Sequence, residues 1–381
     1  GKADKVVEGG ALHVAPGFFD LGTQGGEPGL EHREDWETLS SAALAGGYTG
    51  IALFPNTQPT IDSKSGVSYI LQHSGRHGVN YFPIGALSKG ANGEQMAELY
   101  DMHSHGAVAF SDGRSTVHNG SLLLRALEYV RSFDGWIINR PEDGPLRGSG
   151  LMHEGTMSTA LGLPGIPSVA EIAGLKRDIE LLRYTGSKLI VHGISTSEAV
   201  EIISAAKKEG LDILATVPVL NLAYDDQQLL QFDSNFKVIP PLRATSDREA
   251  LLEGVKNGII DMVVSNHEPL DIESKEKEFP YAEFGAATLE RSFSLLNTHL
   301  KGVIKLPQLV HMLSVVPRQI LDIPIPAIRK NEKAELVIFD PKKKVDFSTQ
   351  PSHSRGINVP IQGDGWKGSI VATIAGEHSF I

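Results

Sequence analysis

The sequence predicts an α/β fold, namely a TIM-type (β/α)8 barrel with a small β-sandwich lobe formed by the two chain ends. Three observations lead to this prediction. Short apolar runs alternate with amphipathic stretches, as in proteins built from strand–helix units around a parallel sheet. About eight such units can be counted, which is the number that closes a barrel. The tail then changes to strand-type segments without intervening helices.

Each predicted barrel strand is a short apolar run that ends in a polar, glycine or proline cluster. The segments that contain these strands are, in chain order, VAPGFFDL, GYTGIALFPNT, VNYFPIGAL, GAVAFSD, GWIINR, KLIVHGI, LDILATVPV and DMVVSNHEP. In barrels of this type the functional site lies at the carboxyl ends of the strands. The residues that follow these runs are therefore the ones in which we look for chemistry.

Helical patterns lie between the strands, for example at 168–185 and 195–209. In the second, Ala199, Ile202, Ile203 and Ala206 recur at the i, i+3, i+4, i+7 spacing of one helix face. The letters STSEAV open this helix with residues that cap helix starts.

The chain divides into three predicted segments. A β-sandwich segment occupies 1–15, the barrel occupies 16–325, and a second sandwich segment occupies 326–381. The tail strands are AELVIFD and those within KGSIVATIAGEHSFI. We find no internal repeat and no low-complexity segment.

Composition narrows the class of protein. The chain has 381 residues, 41% hydrophobic and 21% charged, and a net charge of −11, which disfavours nucleic acid and anionic membranes as partners. It has no cysteine, so disulfides and thiolate metal sites are excluded. No apolar run reaches the roughly 18 residues of a membrane span, and the N-terminus lacks the apolar core of a signal peptide. We therefore expect a cytoplasmic protein.

Many motifs in order along the chain resemble the dihydroorotases of the amidohydrolase superfamily. They include VAPGFFDL, AGGYTGIALFPNTQPTIDS, LMHEGTMSTALGLPGIPSVAEI, ISTSEAV, NHEP and HSRGINVPIQGDGWKGSIVATIAGE. The resemblance implies a metal-containing barrel that interconverts carbamoyl aspartate and dihydroorotate in pyrimidine synthesis. It also implies additional sandwich strands before VAPGF, so the N-terminal part of that lobe is expected to be incomplete here.

The resemblance fails at the metal ligands. The family's H-x-H pair falls on Gly22 and Gln24, its next two histidines fall on Arg140 and Gly193, and its catalytic aspartate falls on Asn266. Glycine has no ligand atom, an amide is a poor zinc ligand, and a guanidinium is a permanent cation without a lone pair to donate. Asparagine cannot act as a general base. We therefore predict no zinc, no other cofactor and no catalytic residues.

Three functions follow as hypotheses. The first is a dihydroorotase-like protein without hydrolase activity, because the resemblance includes bacterial members that are inactive partners of aspartate transcarbamoylase; we also expect a homo-oligomer. The second is an active dihydroorotase, or a related cyclic amidohydrolase, with an atypical metal site built from His192, His267 and Asp112. The third is a metal-free binder of a small carboxylated ligand.

The candidate residues for a ligand pocket share positions at predicted strand ends: Gln24, Asn56, Asp112, Arg140, Asn266 and His267. Arg140 could bind an anion or pair with Glu142, Asp143 or Asp112. His192 is expected to face the helix layer, because Gly193 occupies the family's ligand position; a bulge that turns His192 inward is the alternative.

Several other polar residues are expected to be structural. They are Asp20, Arg243, and His103 and His105, the only H-x-H pair in the chain.

Overall fold

A computed structural model describes residues 6–381 of the chain. Residues 1–5, which belong to the predicted segment 1–15, lie outside the described part. Eight parallel strands form one sheet that curls into a barrel, and a separate antiparallel sheet joins the two chain ends. The predicted fold class is therefore confirmed.

The strands have the following bounds within residues 6–381: β1 His13–Pro16, β2 Phe18–Thr23, β3 Tyr48–Leu53, β4 Asn80–Gly85, β5 Ala109–Phe110, β6 Ile137–Asn139, β7 Met152–His153, β8 Gly165–Ile166, β9 Leu189–Val191, β10 Ile213–Pro218, β11 Met262–Val264, β12 Glu335–Val345, β13 Trp366–Ala375 and β14 His378–Phe380.

The α-helices of the same range are α1 Trp36–Ala45, α2 Lys64–His73, α3 Leu99–Ser104, α4 Gly120–Val130, α5 Gly144–Arg147, α6 Thr156–Leu161, α7 Ser168–Thr185, α8 Ser197–Lys208, α9 Val219–Ala223, α10 Thr245–Lys256, α11 Ile272–Lys275, α12 Ser292–His299, α13 Leu306–Ser314 and α14 Val316–Ile320. The two helices predicted above appear as α7 and α8. Thr196 caps α8, since its side chain accepts a hydrogen bond from the Ala199 N–H.

The barrel follows from the alternation of side chains along its strands. The strand order is β2-β3-β4-β5-β6-β9-β10-β11, and all neighbours are parallel. Inward residues such as Phe19, Ala52 and Ile190 fill the centre of the barrel. Their outward neighbours, such as Phe18 and Val191, belong to a larger core under the helices. The strands are buried on both faces, as parallel sheets require.

A buried carboxylate joins the two ends of the barrel sheet. In the described chain, β2 and β11 are the ends of the strand order and form no ladder with each other. Asp20 on β2 accepts hydrogen bonds from the Ser265 N–H at 2.8 Å and the Ser265 hydroxyl at 2.6 Å, directly after β11. Thr23 donates a third, at 2.5 Å. Asp20 is 1% exposed, so the sequence expectation of a structural role fits its position.

The chain ends meet in the second sheet, whose order is β1-β12-β13-β14 with antiparallel neighbours. Its registers pair Val14 with Ile338 and Leu336 with Ile374. Helices α1 and α12 pack against β13 and connect this sheet to the barrel. The predicted tail strands thus become β12, β13 and β14.

Arg243 and the H-x-H pair make contacts that stabilise local structure. Arg243 donates to the Ile166 carbonyl at 2.8 Å and to the Ser195 hydroxyl at 3.0 Å. His103 stacks on Phe133, and His105 Nδ1 lies 2.7 Å from the Asp101 carbonyl oxygen. No helix within residues 6–381 has both the length and the apolarity needed to cross a bilayer.

Replacing Asp20 with Ala is expected to lower the free energy of unfolding by about 3 kcal/mol or more, because three buried donors lose a charged acceptor. Urea unfolding followed by circular dichroism measures the change. Asp212→Ala, at an exposed carboxylate on the barrel exterior, is the matched control and should have little effect. Equal unfolding midpoints for the two variants would contradict the closing role of Asp20.

Candidate functional site

A cavity of about 150 Å3 lies at the carboxyl ends of the barrel strands. This is the face on which barrels of this type carry their sites. Its walls come from the ends of β2, β3, β6, β9 and β11 and from the loops that follow. The lining residues are Gly22, Gln24, Phe54, Gly113, Arg114, Arg140, Arg147, His192, Ile239, Asn266, His267, Glu268 and Phe284.

The end of β2 supplies backbone rather than reactive groups to the cavity. Gly22 has φ = +90°, and a Cβ atom there would lie 2.6 Å from the Phe54 ring and 3.0 Å from His192 Cε1. This close approach therefore favours glycine. Gln24 donates its backbone N–H to the His267 carbonyl at 3.0 Å and its side-chain amide to Asn56 Oδ1 at 3.3 Å.

Asn56 and Asp112 are not among the residues that line the cavity. The Asn56 side chain donates to the Asp112 carbonyl at 3.0 Å and accepts from the Arg114 N–H at 2.9 Å, so it supports the loop behind Gln24. The Asp112 carboxylate is held by the Ser88 N–H at 2.8 Å and the Ser88 hydroxyl at 2.5 Å. Burial raises the pKa of Asp112, and the hydrogen bonds from Ser88 oppose that rise.

Arg140 lies in the cavity wall directly after β6. Its Nη2 donates to the Arg114 carbonyl at 2.8 Å and lies 3.5 Å from Glu142 Oε2. The sequence left Glu142, Asp143 and Asp112 open as ion-pair partners of Arg140, and the structure pairs it with Glu142. Within the described part of the chain, the buried Nε has no hydrogen-bond partner. Burial lowers the pKa of Arg140, and the Glu142 carboxylate opposes this shift.

His192 faces the cavity, and the expectation that it faces the helix layer is wrong. Ile190 points into the barrel, so regular alternation places Val191 outside and His192 inside without a bulge. Its ring packs edge-on against Phe54, with ring centroids 5.0 Å apart. Burial, assisted by the charge of Arg140, lowers the pKa of His192 to about 3. The ring is therefore neutral near pH 7.

Asn266 and His267 follow β11 and complete the opposite wall. Asn266 has φ = +52°, and its amide donates to the Ile239 carbonyl at 3.1 Å. His267 Nδ1 accepts from the backbone N–H groups of Thr288 at 3.1 Å and Leu289 at 3.3 Å. The proton of this imidazole is therefore on Nε2, which lies 3.5 Å from Glu34 Oε2.

Among the lining residues that sequence reasoning missed, four carry charged or aromatic side chains beyond the strand ends, namely Arg114, Arg147, Glu268 and Phe284; Arg147 ends α5, and the other three lie in loops. Arg147 Nε lies 3.3 Å from Glu142 Oε1, and its guanidinium lies 5.3 Å from the centre of the Phe284 ring. Arg114 pairs with Glu268. Two of these four residues could have been predicted from the sequence. Arg114 follows SDG and Glu268 follows NH, and both motifs lie at predicted strand ends.

The residues at the cavity do not fit a zinc ion. Gly22 offers no ligand atom, the amides of Gln24 and Asn266 are neutral, and Arg140 is a cation. The hypothetical ligand set of His192, His267 and Asp112 is not brought together, because the Asp112 carboxylate is held by Ser88. Among residues 6–381, no group of three or more His, Asp or Glu side chains is placed to hold a metal ion.

The cavity instead presents positive charge. Three guanidinium groups and one carboxylate line it, in a chain whose net charge is −11. Such an arrangement can hold an anion, since guanidinium groups form strong charge-assisted hydrogen bonds with carboxylates.

Replacing His192 with Gln is expected to reduce the acid sensitivity of the protein. Between the unperturbed pKa of 6.5 and the folded value of about 3, the unfolded state binds more protons at this residue, so stability falls as pH drops through that window. The wild-type chain should lose about 2–3 kcal/mol through this group between neutral pH and about pH 4.5. Thermal melts at both pH values measure the loss in wild type and variant.

His118→Gln is the control for that experiment, because the His118 ring is already in water in the folded protein. It should keep the pH response of the wild type. An unchanged response in His192→Gln would show that His192 does not stay neutral in the folded state.

Comparison with known proteins agrees with the architecture. The family of dihydro-orotase-like proteins matches residues 11–199. The dihydroorotase of Caldanaerobacter subterraneus subsp. tengcongensis is 38% identical over 372 residues, covering 97% of this chain and 86% of the relative. That of Syntrophus aciditrophicus is 38% identical over 363 residues, covering 95% and 85%.

Among solved structures, the L-hydantoinase (dihydropyrimidinase) of Arthrobacter aurescens has a TM-score of 0.85 at 23% identity, covering 96% of this chain and 84% of that one. The dihydropyrimidinase of Brevibacillus agri has a TM-score of 0.80 at 20% identity, with the same coverage. These structures share the fold. The sequence identity to the dihydroorotases over nearly the full chain shows more, and the chain therefore belongs to the dihydroorotase-like family.

Proposed function

We propose that this chain is a dihydroorotase-like protein of pyrimidine biosynthesis that does not hydrolyse cyclic amides and acts as a structural partner in an assembly, with aspartate transcarbamoylase as the candidate partner. One observation carries the first part of the proposal. The resemblance puts Arg140 at the position of a metal-ligating histidine of the family, and its guanidinium lies in the cavity wall.

Hydrolysis of a cyclic amide near pH 7 needs an activated water. Zinc activates water by lowering its pKa from about 15.7 to about 7. A guanidinium in the cavity wall opposes the binding of such a cation. The resemblance also puts Asn266 at the position of the family's catalytic aspartate, and an amide cannot take a proton at neutral pH.

The assembly role is supported by what the chain retains. The chain has a packed barrel core, the closing contact of Asp20 and a sheet that joins the chain ends, although residues of other types stand at the family's positions for hydrolysis. A protein that keeps the fold without the groups for hydrolysis suits a role in which its surface binds another protein. The resemblance to inactive members of the family supplies the identity of the candidate partner.

Protein purified from zinc-supplemented cells without chelator is expected to contain far less than one zinc per chain, and to form neither dihydroorotate nor carbamoyl aspartate from the other. Plasma mass spectrometry measures the metal, and chromatography measures both reaction directions. A dihydroorotase with an intact H-x-H pair, purified in parallel, is the control. Stoichiometric zinc together with turnover would favour the alternative of an active amidohydrolase with an atypical metal site.

Co-expression with the aspartate transcarbamoylase of the same genome is expected to yield a complex that survives size-exclusion chromatography. Light scattering then gives its mass and stoichiometry. The same transcarbamoylase expressed alone is the control for its own oligomeric state. If the two proteins elute separately at micromolar concentration, the proposed partnership is wrong, whatever the outcome of the zinc measurement.

A further inference from the structure

We propose that the cavity at the barrel mouth is a metal-free binding site for a small carboxylate, which the side chains of Arg140 and His192 hold through hydrogen bonds. The inference concerns ligand binding and stands independently of the assembly role proposed above. In this proposal Arg140, and not a metal ion, binds the ligand.

The first observation is the proton on His192. The Thr216 hydroxyl oxygen accepts the Gly193 N–H at 2.9 Å and lies 3.2 Å from His192 Nδ1. Thr216 is fully buried, so its hydroxyl hydrogen needs an acceptor, which His192 Nδ1 provides. The neutral ring therefore carries its own proton on Nε2. His192 thus contributes an N–H donor to the cavity that it lines.

The second observation is that this donor is unpaired. Nε2 of His192 is buried and has no hydrogen-bond partner among residues 6–381, although the residue is only 4% exposed. Arg140 Nε, in the same cavity wall, is likewise buried and unpartnered within that range. Unsatisfied buried donors are costly and uncommon in folded proteins. A hydrogen-bond acceptor bound in the cavity that both residues line would supply the missing partner.

The third observation is the sign of the charge. Arg114, Arg140 and Arg147 line the cavity, whereas Glu268 is its one lining carboxylate. Arg114 is paired with Glu268, and Glu142, next to the cavity, lies within 3.5 Å of both Arg140 and Arg147. Arg114 also lies 4.0 Å from Glu283, which itself pairs with Arg33 at 3.1 Å, so among the residues that line the cavity three cations face one carboxylate. The acceptor that fits is therefore an anion, and a carboxylate matches the planar donor geometry of guanidinium groups.

The size and walls of the cavity limit the rest of the ligand. A volume of about 150 Å3 has room for about five water molecules at the roughly 30 Å3 that each occupies in the liquid. A cavity of this size suits a compact organic acid, not a polymer. Phe54 and Phe284 give the cavity two aromatic surfaces, against which a flat or apolar body can pack.

Isothermal titration calorimetry of the full chain, after dialysis against EDTA, tests the proposal with two probe pairs. Dihydroorotate is compared with dihydrouracil, which has the same ring without the carboxylate. Succinate is compared with succinamide, its neutral counterpart. At least one carboxylate is expected to bind roughly tenfold or more tightly than its neutral partner, which corresponds to about 1.4 kcal/mol.

Variants locate the binding. Arg140→Gln and His192→Phe should each weaken binding of that carboxylate by roughly tenfold. Arg147→Gln, at a half-buried side chain on the cavity rim, should weaken it less and covers the case in which the buried variants fail to fold. Arg125→Gln on the exposed face of α4 is the matched control and should bind as wild type does.

The proposal is overturned if neither carboxylate binds better than its neutral partner, if binding requires added zinc, or if the folded variants at the cavity bind as the Arg125→Gln control does. None of these results would touch the proposed partnership, which is measured by complex formation. Zinc-dependent binding with turnover would contradict both this binding site and the proposed lack of hydrolysis, but not the partnership.

Discussion

The geometry of the barrel mouth depends on the carboxylate of Asp20. The strand order begins at β2 and ends at β11, and these two strands are joined by side-chain and loop contacts. Asp20 binds both polar hydrogens of Ser265, and four residues after Asp20 the Gln24 N–H donates to the His267 carbonyl. A charged acceptor with three buried donors is stronger than neutral hydrogen bonds. The walls of the cavity are thereby held together across the seam.

The guanidinium group of Arg140 places a permanent positive charge at the mouth of this barrel. Burying a guanidinium is costly unless its donors are satisfied. Arg140 meets this condition only in part, with the Arg114 carbonyl and Glu142 as its partners. Its charge also disfavours a second cation nearby, which is one cause of the low pKa of His192. The same repulsion would act on a divalent metal, so the electrostatics of the cavity wall disfavour metal binding.

The residues of the barrel core and those of the barrel mouth are under different physical constraints. The core residues inside the barrel and under the helices are apolar and buried, as folding requires. At the mouth, the close approach of Gly22 to Phe54 and His192 leaves no space for a side chain. A histidine at position 22 would therefore require movement of both rings. The packing around this strand end thus disfavours a metal-ligating side chain there.

The sequence by itself determined the β–α alternation, the helices at α7 and α8, the tail strands and the absence of ligand atoms at Gly22 and Gly193. These features are local: the side-chain period and the chemical identity of a residue are the same in any context.

Only the tertiary structure decided which side chains meet. It turned His192 inward and Asp112 toward Ser88, and it brought Arg114 from a loop and Arg147 from the end of α5 to one cavity. Loop conformations and the direction of a strand's last residues depend on distant contacts such as the Asp20 seam, and no local pattern contains that information.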